Sequence, residues 1–133
     1  MIRCDSESHR LTKVNRGARL YTSLMKMTPL SMSVTDWNEI APTRHAGETG
    51  FALWRTQTFD DIRVRRIEYS PGYLADHWCA KGHITLCLSG ILDIEIGDGT
   101  HLQLKAGQSY RVGDGDPPHR SRTSVGAQLF IVD

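Results

Sequence analysis

Long apolar runs are missing from this chain of 133 residues. No stretch approaches the ~20 consecutive apolar residues that a membrane-spanning helix needs. Nor does the N-terminal region carry the apolar core of about 7–15 residues found in a secretory signal. These absences lead us to expect a cytoplasmic protein with no membrane partner. Excess charge of one sign is missing too. The formal net charge is +1, so nothing draws the chain toward nucleic acid. Cysteine is sparse and odd in number, with Cys4, Cys79 and Cys87 only. In a reducing compartment each stays a thiol, either a ligand or a small buried hydrophobe. Internal repeats and low-complexity tracts are absent. What remains is a chain with 39% hydrophobic residues, enough for one domain with a real core and too short for two ordinary ones.

Residues 1–27 are set apart by Arg3, Arg10, Lys13, Arg16, Arg19 and Lys26 against Asp5 and Glu7. They read as a basic N-terminal extension, either a loosely packed arm or a start assigned too early, with Met25 or Met27 the true one. A binding arm, or a strand given to a partner subunit, would carry the same composition. The rest, residues 28–133, forms one domain of short strands and turns. A helical turn is expected at Asp36-Trp37-Asn38-Glu39 with Thr35 as its cap, and Gly47 to Gly50 is a loop. Ile62 to Arg65 alternates, and Arg66 to Tyr69 continues one residue out of phase, which predicts a bulge between them. Ile84 to Leu88 is a strand turned by Ser89-Gly90, and Leu92, Ile94 and Ile96 alternate with acids in a half-buried strand. Gly97-Asp98-Gly99 signals a hairpin. Strands follow at 101–104, 109–112 and 128–132, separated by turns. Strands recurring every 8–12 residues or so, with no long helix, predict an all-β sandwich or barrel.

One stretch concentrates chemistry: Asp76-His77-Trp78-Cys79-Ala80-Lys81-Gly82-His83. In an extended segment residues two apart share a face, so His77 and Cys79 point the same way. Ala80-Lys81-Gly82 can bend the chain and let His83, opening the next strand, look back at the same point. A further donor is His119, which ends the turn Gly113 to Pro118, stiffened by Pro117 and Pro118. Imidazoles with a thiolate suit zinc, iron or copper far better than magnesium or calcium. The candidate ligand set is therefore His77, Cys79, His83 and His119.

These residues resemble the two-part motif of a small single-domain cupin. Gly90 matches the glycine that closes the first part, and His83 stands where the family has its metal-binding glutamate. Cys79 falls at the second histidine and His77 at the first, while Gly72, the opening glycine, is one residue closer than the pattern expects. In the second part Gly107 matches the opening glycine and His119 the third histidine. Asp114 and Asp116 stand where the family has proline and glycine, and Thr123 replaces its final asparagine. The run from Tyr73 to His83 is similar to a cupin subgroup named for an Asp-His-Cys-Trp motif. The resemblance covers residues 33–133 or so. It implies an all-β, cupin-type double-stranded β-helix, a jelly roll or conical barrel, holding one transition-metal ion. It implies no particular reaction. Relative to the family's three histidines and a glutamate, a thiolate makes the set softer, favouring zinc, with iron, copper or nickel as the other fits. Three histidines alone can hold iron(II), in which case Cys79 lies near the ion without binding it.

Other residues take lesser readings. Cys87 shares a strand face with His83 and is expected to be a small buried hydrophobe. His9 and His101 read as exposed, His45 as a loop residue, Trp78 as core or interface packing, and Asp76 as a turn cap or a partner for a ligand histidine. Arg63 and Arg65 belong to a basic strand. The usual reading of such a stretch is a solvated face; the cupin resemblance implies a strand face lining a cavity, where Arg65 or Arg63 would meet an anionic substrate, with Tyr69, Tyr73 and Tyr110 as acid–base or hydrogen-bonding candidates among which spacing selects none. A small-molecule ligand in the barrel and a homodimer are the expected partners. Three functions compete: a metal-dependent enzyme on a small organic substrate, a non-catalytic small-molecule or metal-binding module, and a structural zinc with four closed ligands.

Overall fold

The computed structural model describes residues 27–133; apart from Met27, the basic extension lies outside the described residues. Among the described residues the chain is all strand, turn and loop, with β1 (Thr43–Ala46), β2 (Phe51–Phe59), β3 (Ile62–Tyr69), β4 (Tyr73–Leu74), β5 (His83–Ile96), β6 (His101–Lys105), β7 (Ser109–Val112), β8 (His119–Thr123) and β9 (Ala127–Val132). Among the described residues no helix is long and apolar enough to cross a membrane.

The organising element is β5, which has 14 residues and takes part in both walls of a curled antiparallel sheet. Its first half pairs with β7 and β9, and through β9 with β3, β2 and β1. Its second half pairs with β6 and β8, and through β8 with β4. The sheet therefore folds over on itself along β5. The fold line is a register shift between Cys87 and Ser89, followed by Gly90 at φ 77°. A side chain on Gly90 would put its Cβ 2.0 Å from the Gly126 carbonyl oxygen, so only glycine fits this crossing. The Ser89-Gly90 turn predicted from the sequence is thus a paired stretch of one continuous strand, directly after the irregularity at Leu88.

Inward residues from the two walls form the core: Ala52, Ile67, Cys87, Leu129 and Ile131 from one, Tyr73, Ala75, Leu92, Ile94 and Leu104 from the other. Cys87 is fully buried, as a small hydrophobe. The bulge expected between Arg65 and Arg66 is absent, because β3 keeps unbroken register with both β2 and β9. Alternation there is intact; Arg65 simply occupies an inward position, on the same face as Ile67. The expected helical turn is a single β-turn. Its Asp36 carboxylate, rather than Thr35, accepts the Asn38 N–H at 3.0 Å, and Thr35 donates to Gln57 on β2. His45 lies on β1 rather than in a loop, with its ring stacked on Trp54 at 3.9 Å. On the outer face of β5, Ile84, Leu86 and Leu88 are exposed.

Candidate metal centre

Two local devices bring distant residues together. The first is an isolated bridge in which Cys79 and His119 exchange both backbone hydrogen bonds, at 2.8 and 2.9 Å. Directly opposed residues of such a pair project their side chains to the same side of the sheet. The second is the bend at Gly82, whose N–H donates to the Asp114 carboxylate at 2.7 Å. The loop backbone comes so close that a Cβ on Gly82 would lie 2.8 Å from the Asp114 nitrogen. The bend delivers His83 to the start of β5, opposite Val112.

The result is a compact donor group. One donor atom each from Cys79, His83 and His119 lies within 4.8 Å of the others, and the two imidazole centroids are 4.7 Å apart. A tetrahedral ion with bonds of ~2.0–2.3 Å needs donor separations of about 3.4–3.6 Å, so a slight inward movement closes the group on an ion. His119 is only 3% exposed, and both of its ring nitrogens are buried without a hydrogen-bond partner. An orphaned buried polar atom costs about 1–3 kcal/mol, and a metal is the partner that an unprotonated imidazole nitrogen suits best. Burial lowers the pKa of His83 to about 4, helped by the nearby His119, and burial likewise lowers that of His119. Both rings are neutral at neutral pH and keep the lone pair that a metal requires.

His77 does not join the group of donors. Its side chain is 65% exposed, and Nδ1 lies 2.6 Å from Asp76 Oδ1. A carboxylate can only accept, so Nδ1 carries the proton. The hydrogen bond to His77 holds the Asp76 carboxyl below its usual range. Of the expected ligand set, then, Cys79, His83 and His119 converge, and His77 stands at the mouth. Trp78 is not part of the core: it is exposed, with the Arg120 guanidinium 5.0 Å above its ring.

The donors open onto a cavity of about 80 Å³ whose wall includes Trp54, Arg65, Tyr69, His77, Tyr110 and Ser121. Arg65, Tyr69 and Tyr110, singled out from the sequence, all line it. One register row places Arg65 beside Ile131, Ile131 beside Thr85, and Thr85 beside Tyr110. Burial pushes the phenols of Tyr69, Tyr73 and Tyr110 upward, so they stay protonated and can donate. Tyr69 and Tyr73 stack at 4.1 Å. The sequence reading missed Trp54, which lies under Arg65 with guanidinium carbon to ring centroid at 4.7 Å. It also missed Asp133, whose carboxylate accepts from Arg65 at 2.7 Å and from Arg63 Nε at 2.9 Å. The aromatic-rich run from Phe51 to Trp54 was the available signal for Trp54.

No protein-family model matches the chain, and no curated protein is similar to it in sequence. Solved structures are similar in fold. A predicted oxalate decarboxylase from Thermotoga maritima superposes with a TM-score of 0.65 at 18% identity, covering 75% of this chain and 96% of that one. An RmlC-like cupin from Shewanella frigidimarina gives 0.64 at 15% identity, covering 77% and 90%. Ectoine synthase from P. lautus gives 0.62 at 18%, covering 76% of each. With the two-walled curl about β5, these place the chain in the cupin fold. More narrowly, it is a small domain of the cupin fold with a Cys/His/His group that could hold a metal.

Proposed function

We propose that this chain is a metal-dependent cupin enzyme acting on a small organic substrate. Its ion, zinc before iron, copper or nickel, is held by His83, His119 and Cys79. The observation that carries the reading is the buried His119 ring with both nitrogens unpartnered, next to two further donors at the wall of a cavity. A structural zinc is normally closed by four protein ligands. Among the described residues this group has three, which favours an open position facing the cavity. When bound, such an ion supplies Lewis acidity and lowers the pKa of a coordinated water. The chain's own groups do the rest. Asp76 fixes the proton of His77 on Nδ1 and leaves Nε2 as a base at the cavity mouth. Tyr110 and Tyr69 offer hydroxyl donors inside. Ile67, Leu92, Ile94 and Leu129 keep the opposite walls dry. The cavity is far below the ~300 Å³ of common ligand pockets, so the substrate is small. The exposed stripe Ile84, Leu86 and Leu88 supports the expected homodimer.

Element analysis of protein purified without added metal tests the reading, with one ion per chain expected. Cobalt substitution should give the thiolate charge-transfer absorption, lost in Cys79→Ser. Absence of a stoichiometric ion rejects the metal centre. A tetrahedron filled by His77 as fourth ligand, with no exchangeable solvent, rejects the enzyme and leaves the structural zinc.

A further inference from the structure

Arg65 is a cation in a place where cations rarely sit. It is 8% exposed, and burial lowers its pKa against the pull of Asp133. Asp133 serves Arg63 and Arg65 together, so one side-chain carboxylate is shared between two guanidinium groups. The Arg65 Nε is buried without a partner, and so is the indole Nε1 of Trp54. The cavity wall to which both belong contains no aspartate or glutamate. A buried guanidinium with an unmet donor, beside a second unmet donor, is short of an acceptor, and a carboxylate is one that suits both.

The register sets the distance. Arg65 and Thr85 are two strands apart through Ile131, about 10 Å between backbones at ~4.8 Å per strand. His83 is the next inward residue along β5 from Thr85. A long arginine side chain reaching across that gap leaves room for a ligand of a few heavy atoms before the donor group. The walls between include Ile67, Leu129 and Ile131, which offer apolar contact, beside the hydroxyl groups of Thr85, Tyr69 and Tyr110.

We propose that the cavity takes a small aliphatic monocarboxylate, its carboxylate on the Arg65 guanidinium beside Trp54 and its other end toward His83, His119 and Cys79. The placement of that other end rests on the metal reading above; the carboxylate on Arg65 does not. Planar guanidinium and carboxylate match in a fork geometry, which a phosphate-sized or aromatic acid could not exploit in about 80 Å³.

The test is binding of propionate to metal-stripped protein, compared with propionamide, which has the same shape without the charge. The readout is the indole N–H resonance of Trp54, assigned with Trp54→Phe and distinguished from those of Trp37 and Trp78. We expect saturable movement with propionate, little with propionamide, and about a tenfold or greater loss of affinity in Arg65→Gln. Equal response to acid and amide overturns the proposal, as does full propionate binding by Arg65→Gln. Should Arg65→Gln not fold, the comparison of acid with amide on the unaltered protein still decides. Zinc uptake by the same preparation, measured separately, decides the metal reading and leaves the anion result untouched.

Discussion

His119→Leu should stabilise the ion-free protein while removing its response to zinc. The histidine is 3% exposed and neither ring nitrogen has a partner. Leucine has a similar bulk and no polar atom, so the substitution deletes a donor and an acceptor that burial leaves unmet. Each such group costs about 1–3 kcal/mol, and water entering the cavity recovers part of that. The net gain for the ion-free variant is about 1–2 kcal/mol. For a domain of this size each kcal/mol moves Tm by about 3–6 °C. Zinc acts in the opposite sense, because an ion at a hundred times its Kd stabilises the unaltered protein by about 2.7 kcal/mol and the variant hardly at all. The two proteins should therefore exchange rank. With a chelator present the variant melts higher, and with saturating zinc it melts lower. Calorimetry at neutral pH, where burial keeps His83 and His119 uncharged, reads both arms. A variant that melts lower with chelator, or that gains as much from zinc as the unaltered protein, would falsify the reasoning.

Gly82→Ala should fold but bind zinc at least tenfold more weakly, since its Cβ would sit 2.8 Å from the Asp114 nitrogen and force apart the bend that aims His83; isothermal titration checks it, and unaltered affinity would show that the bend is slack. Gly90→Ala should cost about 2–4 kcal/mol in urea unfolding, from left-handed strain and the collision with the Gly126 carbonyl; a loss under 1 kcal/mol or so would mean the fold line can shift. Burial opposes ionisation of Asp133, but Arg63 and Arg65 prevail and hold its carboxyl below the ordinary 3.8. Its stabilisation is thus complete above that ordinary value and lost as pH falls through the lower folded-state value. Asp133→Asn should flatten the acid limb of Tm against pH in that window, and an unchanged limb would assign it to other carboxylates.

Much of the barrel was legible because solvent lies on one side of its strands. Leu92, Ile94 and Ile96 alternate with Asp93 and Glu95, and the glycine turns after them mark the hairpin. β2 was not legible for the opposite reason. Its outward residues are not uniformly polar: Phe51 lies under Arg44 at 3.7 Å, Leu53 is half-buried, and Arg55 pairs with Glu68 at 3.0 Å. The misplaced bulge has a similar cause. A buried arginine at position 65 looks like a surface residue in sequence, so apolar Ile67 looked out of phase. At position 90 the reverse happened, for a glycine that reads as a turn is the point where one strand passes from wall to wall.

The donor group shows where spacing stops being informative. Local spacing can say that Cys79 and His77 share a face if their segment is extended, but the segment is extended only at the bridge of Cys79 with His119. Before that bridge the chain follows Asp76, whose carboxylate captures His77 and turns it to the mouth. Three of four donors meet because two long-range contacts place them, Cys79 with His119 and Gly82 with Asp114. Both contacts end on the loop and strand that follow Gly113, 30 or more residues from Cys79 and Gly82. Asp114 stands where the cupin motif has proline, and its carboxylate is what ties the bend down. The departure from the motif is therefore part of the mechanism that builds the centre. On the proposed metal reading, Asp114→Ala should weaken zinc uptake more than exchanging any residue of the hydrophobic wall, measured by titration.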